Sequence, residues 1–226
     1  MDIRLHFVER GVGFPLILLH GNGESSDYFA KQIEAFSTSF RVIAVDTRGH
    51  GNTPRGQAPF TLSQFADDLK AFLDAQGIER AHILGFSDGA NIAILFAQRY
   101  PGYVGKLILN GADLHPSGVR RSVQLPIIFA YRLVSFVARF DERAVPKKEM
   151  LGLMVTQPDI QAESLAMLTM PVLVIAGTKD MILESHTRLI ADSLPDSRLI
   201  LLEGDHFIAS KNSPAFNKAV ASFLSV

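Results

Sequence analysis

Nineteen residues, 81 to 99, constrain this chain more than any others. Ala81-His82-Ile83-Leu84 is an apolar run short enough for a buried strand, and Ile92 to Arg99 has the spacing of a helix. Between them lies Gly85-Phe86-Ser87-Asp88-Gly89, which fits G-x-S-x-G. Such a pentapeptide arises by chance roughly 0.1 times in a chain of this length, so its setting carries the weight. A strand must turn at once into a helix, and a Cβ at either glycine would crowd so tight a turn. The turn leaves Ser87 beside the first free N–H groups of the helix, where developing negative charge is favoured.

The rest of the chain repeats the alternation of strand and helix. Ile3 to Glu9 reads as an edge strand, Pro15 to Leu19 and Arg41 to Val45 as strands buried on both faces, Lys106 to Leu109, Pro171 to Ala176 and Arg198 to Leu202 as further strands. Helices are predicted after Ser25 or Ser26, with Phe29, Ile33 and Phe36 on one face, and from the Thr61 cap to Gln76 with Gly77 as the stop. Two more are expected around Leu183 to Ser193 and from Pro214 to Phe223. This pattern predicts an α/β fold, a mostly parallel sheet with helices on both faces. Leu114 to Leu168 breaks the rhythm: it has helical spacing and no strand, and reads as a helical insert above the carboxyl ends of the strands.

Composition excludes several classes. With 226 residues and 47% hydrophobic content, one core and one domain over residues 1–226 is the expectation. Twenty-two basic residues against 23 acidic ones give a net charge of −1, and no basic block suggests nucleic acid. The absence of cysteine removes disulfides, thiolate metal sites and a cysteine nucleophile. The charged start, Met1 to His6, lacks the apolar core of a signal peptide. The longest apolar stretch, Leu125 to Ala138, is interrupted by Arg132 and too short to span a bilayer. A cytoplasmic protein with no membrane partner is therefore expected; nothing in the sequence addresses its oligomeric state.

In open α/β sheets ligands bind at the carboxyl ends of the strands. The polar residues predicted there are His20 to Gly23, Asp46, Ser87-Asp88, Asn110, Asp113, Thr178 to Asp180 and Glu203 to His206. A serine nucleophile needs a base, and the base needs a group that fixes its tautomer. His206 lies just past the last strand and Asp180 just past the one before it. The chain order Ser87, Asp180, His206 is that of a nucleophile, an acid and a base on an α/β-hydrolase sheet.

On these residues the chain resembles the α/β-hydrolase superfamily over essentially its whole length. His20-Gly21-Asn22-Gly23 is similar to the family's oxyanion loop, Asp46-Thr47-Arg48-Gly49-His50-Gly51 to its D-x-R-G-x-G loop, Gly177-Thr178-Lys179-Asp180 to its acid turn, and Gly204-Asp205-His206-Phe207 to its histidine loop. Against the family pattern the chain is expected to begin one strand late, a departure that touches the usual edge hairpin and not the site. The resemblance implies an α/β-hydrolase fold with residues 114–168 as a small helical cap inserted after the sixth family strand. It implies Ser87 as nucleophile, His206 as base, Asp180 as orienting carboxylate, and the backbone N–H groups of Asn22 and Asp88 as oxyanion donors. No cofactor or metal is implied, and the expected substrate is a small carboxylic ester, cleaved through an acyl-Ser87 intermediate. The elbow G-x-S-D-G is similar to that of valacyclovirase-like esterases, where an acidic side chain beside the serine could attract a cationic substrate group; local hydrogen bonds at the helix start are the plainer role for Asp88.

Other readings compete. The same triad serves C–C bond hydrolases and a lyase within the superfamily, and a hydrolase-like fold can bind a ligand without turnover. Gly21-Asn22-Gly23-Glu24-Ser25-Ser26, with Asp46 ending the next strand, approaches a dinucleotide fingerprint. Asp180 could be a helix cap, Glu184 is a rival acid, and His20 is expected to shape its loop.

Overall fold

The five residues Pro15–Leu19 (β2) have no polar side chain, and all but the first are buried, because this strand lies inside a sheet covered on both faces. The computed structural model describes residues 2–225. Its seven strands are β1 (Phe7–Arg10), β2, β3 (Arg41–Val45), β4 (Ala81–Phe86), β5 (Val104–Asn110), β6 (Val172–Gly177) and β7 (Ser197–Leu202), in the spatial order β1-β3-β2-β4-β5-β6-β7. Only β1 is antiparallel, at the edge against β3; every other pairing is parallel.

Alternate residues of the strands feed two separate cores. Ile17, Leu19, Ile43 and Ile83 pack with α2 (Leu62–Ala75), α3 (Asp88–Arg99) and α6 (Glu184–Asp192) on one face. Leu16, Leu18, Val42 and Leu84 pack with α1 (Ala30–Phe36) and α8 (Ser213–Leu224) on the other. The expected caps form: Ser25 Oγ accepts from the Asp27 N–H, Thr61 Oγ1 accepts from the Gln64 N–H, and Gly77 leaves α2 at φ 64°. The Ser25 cap opens a 3-10 turn, Ser26–Phe29, before α1 begins. Between β5 and β6 the chain carries two helices, α4 (Arg121–Val137) and α5 (Val145–Thr156), with 3-10 turns and no strand. Past β7, the short α7 (Ile208–Lys211) precedes α8.

Register decides what meets at the sheet's carboxyl edge. Leu19 pairs with Gly85 and Phe86 with Asn110, so the loop starting at His20 lies beside Ser87 and the one starting at Gly111. Gly177 pairs with Leu202, which sets the loops bearing Asp180 and His206 side by side.

One buried charge ties the loop after β3 to this frame. The Arg48 side chain has no exposed surface; its Nε and Nη2 donate to Asp68 at 2.7 and 2.8 Å, and its Nη groups donate to Asp2 and the Arg55 carbonyl. Removing one partner leaves a guanidinium buried and under-paired. Asp68→Ala is therefore expected to lower the unfolding free energy by about 3–5 kcal/mol, read by urea denaturation; a loss below about 1 kcal/mol would contradict this role for Arg48.

Candidate active site

Ser87 is the only non-glycine residue with positive φ among the described residues, at φ 54° and ψ −123°. Its N–H donates to the Asn110 carbonyl at 2.8 Å, and its carbonyl accepts from the Ala90 and Asn91 N–H groups as α3 begins. The glycines around it are there for space. A Cβ on Gly85 would lie 2.3 Å from the Gly89 carbonyl oxygen, and one on Gly89 would lie 2.0 Å from that of Leu19. As the first residue of α3, Asp88 has an N–H with no acceptor four residues back.

Asp180 and His206 meet as a pair. His206 Nδ1 is 2.7 Å from Asp180 Oδ1, which also accepts from the Ile182 N–H at 2.9 Å. Both side chains are buried. His206 Nε2, the nitrogen that remains for a hydroxyl, is buried without a hydrogen-bond partner, as is Asp180 Oδ2. Ser87 and His206 line one pocket of about 220 Å3, together with Gly21, Asn22, Glu24, Phe86, Met154, Met181 and Phe207. The structure thus brings the three sequence-predicted residues to one place, with the serine–histidine hydrogen bond unmade. Gly111, at φ 62°, makes room for the imidazole: a Cβ there would stand 2.7 Å from His206 Cε1. Glu184, the rival acid, is exposed and pairs with Arg188.

Asn22 joins three elements. Its Nδ2 donates to Asp88 Oδ2 at 3.0 Å and to the Met150 carbonyl of α5 at 2.9 Å. The Asp88 carboxylate is thus bonded across the site by Asn22, 66 residues away in the chain, rather than by its own helix start. His20 is buried with Nδ1 2.7 Å from the Gly21 carbonyl oxygen, while Nε2 accepts from the Thr47 N–H at 3.0 Å. That pattern assigns the proton to Nδ1. Burial, with His50 nearby, pushes the His20 pKa down to about 4 and keeps the ring neutral. His20 shapes its loop. Asp46, which a dinucleotide reading would place on a ribose, has both oxygens engaged by Ser26, Asn52 and His6.

The sequence places Asp113 at the carboxyl edge without giving it a role, and gives no signal for the half-buried Glu24. Glu24 lines the pocket, its Oε2 accepts from the Gly21 N–H at 3.3 Å, and burial pushes its pKa up to about 6. Asp113 exchanges two hydrogen bonds with Asn91: Asn91 Nδ2 donates to Asp113 Oδ1 at 2.8 Å, and the Asp113 N–H donates to Asn91 Oδ1 at 3.0 Å. Asp113, Asp88 and Gln124 also line a chamber of about 20 Å3 next to Ser87, room for about one water-sized group. Gln124 Oε1 is buried and unpartnered there, since its Nε2 is held by the Met154 carbonyl.

Residues 15–143 match the model of the alpha/beta hydrolase fold family. The chain belongs to that family. It is 31% identical over 242 residues to the "Putative carbamate hydrolase RutD" of Caulobacter sp. strain K31, covering 93% of this chain and 90% of that relative. A crystal structure of a meta-cleavage product hydrolase from Pseudomonas fluorescens superposes with a TM-score of 0.80 at 25% identity, covering 99% of this chain and 94% of that one. The enol-lactonase of Burkholderia xenovorans shares the fold at a TM-score of 0.82 and 23% identity, covering 99% of this chain and 97% of that one.

Burial, opposed by the Asn91 hydrogen bond and reinforced by the neighbouring Asp88, leaves the Asp113 pKa raised to about 7. Folding then favours the protonated acid, so this group's contribution is full below about pH 4 and is lost as pH rises from there to about 7. Asp113→Asn is expected to raise the melting temperature by a few degrees at pH 8, with the gain shrinking toward pH 4. A gain independent of pH would contradict it.

Proposed function

We propose that this protein is a serine hydrolase that cleaves a small carboxylic ester through an acyl-Ser87 intermediate. The observation that carries the reading is the shared pocket: Ser87 on its strained turn and the free Nε2 of His206, whose other nitrogen is held by Asp180. The hydrolase names of the relatives support it.

The chemistry follows from these groups. Ser87 Oγ attacks the ester carbonyl carbon while His206 Nε2 takes the hydroxyl proton. Asp180 holds the Nδ1–H and stabilises the imidazolium that forms. The negative charge on the carbonyl oxygen is met by the backbone N–H groups of Asn22 and Asp88, each such donor worth about 2.7–4 kcal/mol in the transition state. Collapse of this intermediate expels the alcohol, which takes the proton from His206. Water then repeats the sequence on the acyl-enzyme and releases the carboxylic acid and Ser87.

A second reading, a carbamate substrate, is favoured by the chamber beside Ser87. Its size suits one non-hydrogen atom, and its polar lining joins the carboxyl groups of Asp88 and Asp113 to the amides of Gln124 and Gln157. A carbamate nitrogen one bond from the scissile carbonyl would present N–H donors there. The same lining suits the ammonium of an α-amino ester.

Two predictions test these readings. Wild-type protein should hydrolyse p-nitrophenyl acetate and butyrate faster than the octanoate, the pocket being small, and Ser87→Ala should lower kcat by about 10³-fold or more. Undiminished turnover in the variant would sink the mechanism. Asp88→Asn should lower the preference for an α-amino ester or a carbamate over the matching plain ester; an unchanged ratio would remove Asp88 from substrate recognition.

A further inference from the structure

Helix α4 is the outermost element of the cap and the least covered. Of its residues only Gln124 is fully buried. Its inner face rests on α5, where Gln124 Nε2 donates to the Met154 carbonyl and Tyr131 lies against Gly152. The outer face carries Leu125, Phe129, Leu133 and Phe136, with Phe140 in the turn that follows, at helical spacing and 56–78% exposed. With Val137 they form a continuous apolar stripe on the order of 600 Å2, at the upper end for a monomer's surface and large enough to mark an interaction site.

The charges along the helix are basic; Asp141 and Glu142 follow Phe140, and Asp141 pairs with Arg143. Residues 121–140 contain Arg121, Arg132 and Arg139 and no acid. At 100° per residue Arg121 and Arg132 fall on one flank, roughly 60–80° from Phe129, and Arg139 lies in the turn that follows the helix. All three are exposed, and among the described residues none pairs with a carboxylate. An apolar ridge bordered by free guanidinium groups matches the surface of an anionic membrane, with the aromatic side chains among the acyl chains and the arginines at the headgroups. A second copy of this chain fits less well. The stripe falls short of the roughly 800 Å2 per partner of a stable interface, and a two-fold contact would bring like-charged arginine rows together.

We propose that α4 docks the cap onto an anionic lipid surface, lying in its plane. The expectation of no membrane partner came from Leu125 to Ala138 being too short to span; Arg132, which interrupts that stretch, is what a surface-lying helix needs. No helix of the described residues is long and apolar enough to cross a membrane. Because Met150 and Met154 of α5, directly beneath α4, contact Asn22 and line the Ser87 pocket, docking would hold that pocket close to the lipid.

The test is co-sedimentation of the full chain with phosphatidylcholine vesicles, with and without about one-third phosphatidylglycerol, at about 0.05 and 0.5 M salt. Expected are binding to the anionic vesicles at low salt, a weakening of about tenfold or more in Arg132→Ala/Arg139→Ala, and loss of binding in Phe129→Ser/Phe136→Ser. Melting temperature and hydrolysis of a soluble ester monitor the fold of the variants, whose altered side chains face solvent. Three results would overturn the proposal: no binding to either vesicle, binding indifferent to the Phe and Arg substitutions, or a dimer by sedimentation equilibrium that Phe129→Ser/Phe136→Ser dissolves.

Discussion

Ser87 is held at φ 54° and ψ −123°, a backbone conformation that costs a residue with a Cβ about 1–3 kcal/mol and persists only where the surroundings over-determine it. Here they do. The Ser87 N–H is fixed on Asn110 of β5, its carbonyl starts the hydrogen-bond ladder of α3, and Gly85 and Gly89 let α3 approach β2 and β4 within a distance no Cβ allows. That approach also places the His20–Gly23 loop, which leaves β2 next to Gly85, beside the serine. The parallel register of β6 and β7 then delivers Asp180 and His206 to the same rim. Lose the tight turn, and the other groups have nothing to surround.

The cap is fastened to this rim by specific polar ties as well as by packing. Asn22 bonds the Met150 carbonyl, Arg55 makes a bidentate pair with Glu149, and Arg120 donates to the carbonyl of Asp180 itself. Residues that shape the pocket and residues that hold the cap are in part the same ones. The position of α5 therefore bears on the His20–Gly23 loop, and that of the α4 entry on the turn that carries Asp180. Serine–histidine hydrogen bonds of this kind commonly tighten only when substrate fills the site.

What could be read from the sequence was what depends on short-range pattern. The elbow showed because strand, glycines, serine and helix lie within 19 consecutive residues, and the order of Ser87, Asp180 and His206 followed from each lying just past an apolar run. Most strand ends came within one or two residues, as at Val104–Asn110 against the expected Lys106 to Leu109, but the edge strand expected from Ile3 begins only at Phe7. What could not be read depends on distant partners. Glu24 looks like any loop acid until the Gly21 N–H and the ring of Phe86 enclose it. Asp113 needs Asn91, 22 residues away, to account for its burial. Arg48 looked like a residue of a turn-rich loop, and only the fold brings Asp68 and Asp2 onto its guanidinium. The bare outer face of α4 was equally hidden, because apolar spacing predicts a helix and is silent on which face is covered.

The most direct measurement is a reaction with a fluorophosphonate followed by peptide mass spectrometry. A nucleophile activated by the His206–Asp180 pair is expected to take the label on Ser87, with labelling slowed by about 10³-fold or more in His206→Ala. A label on another residue, or equal labelling with and without His206, would contradict the proposed chemistry of this site.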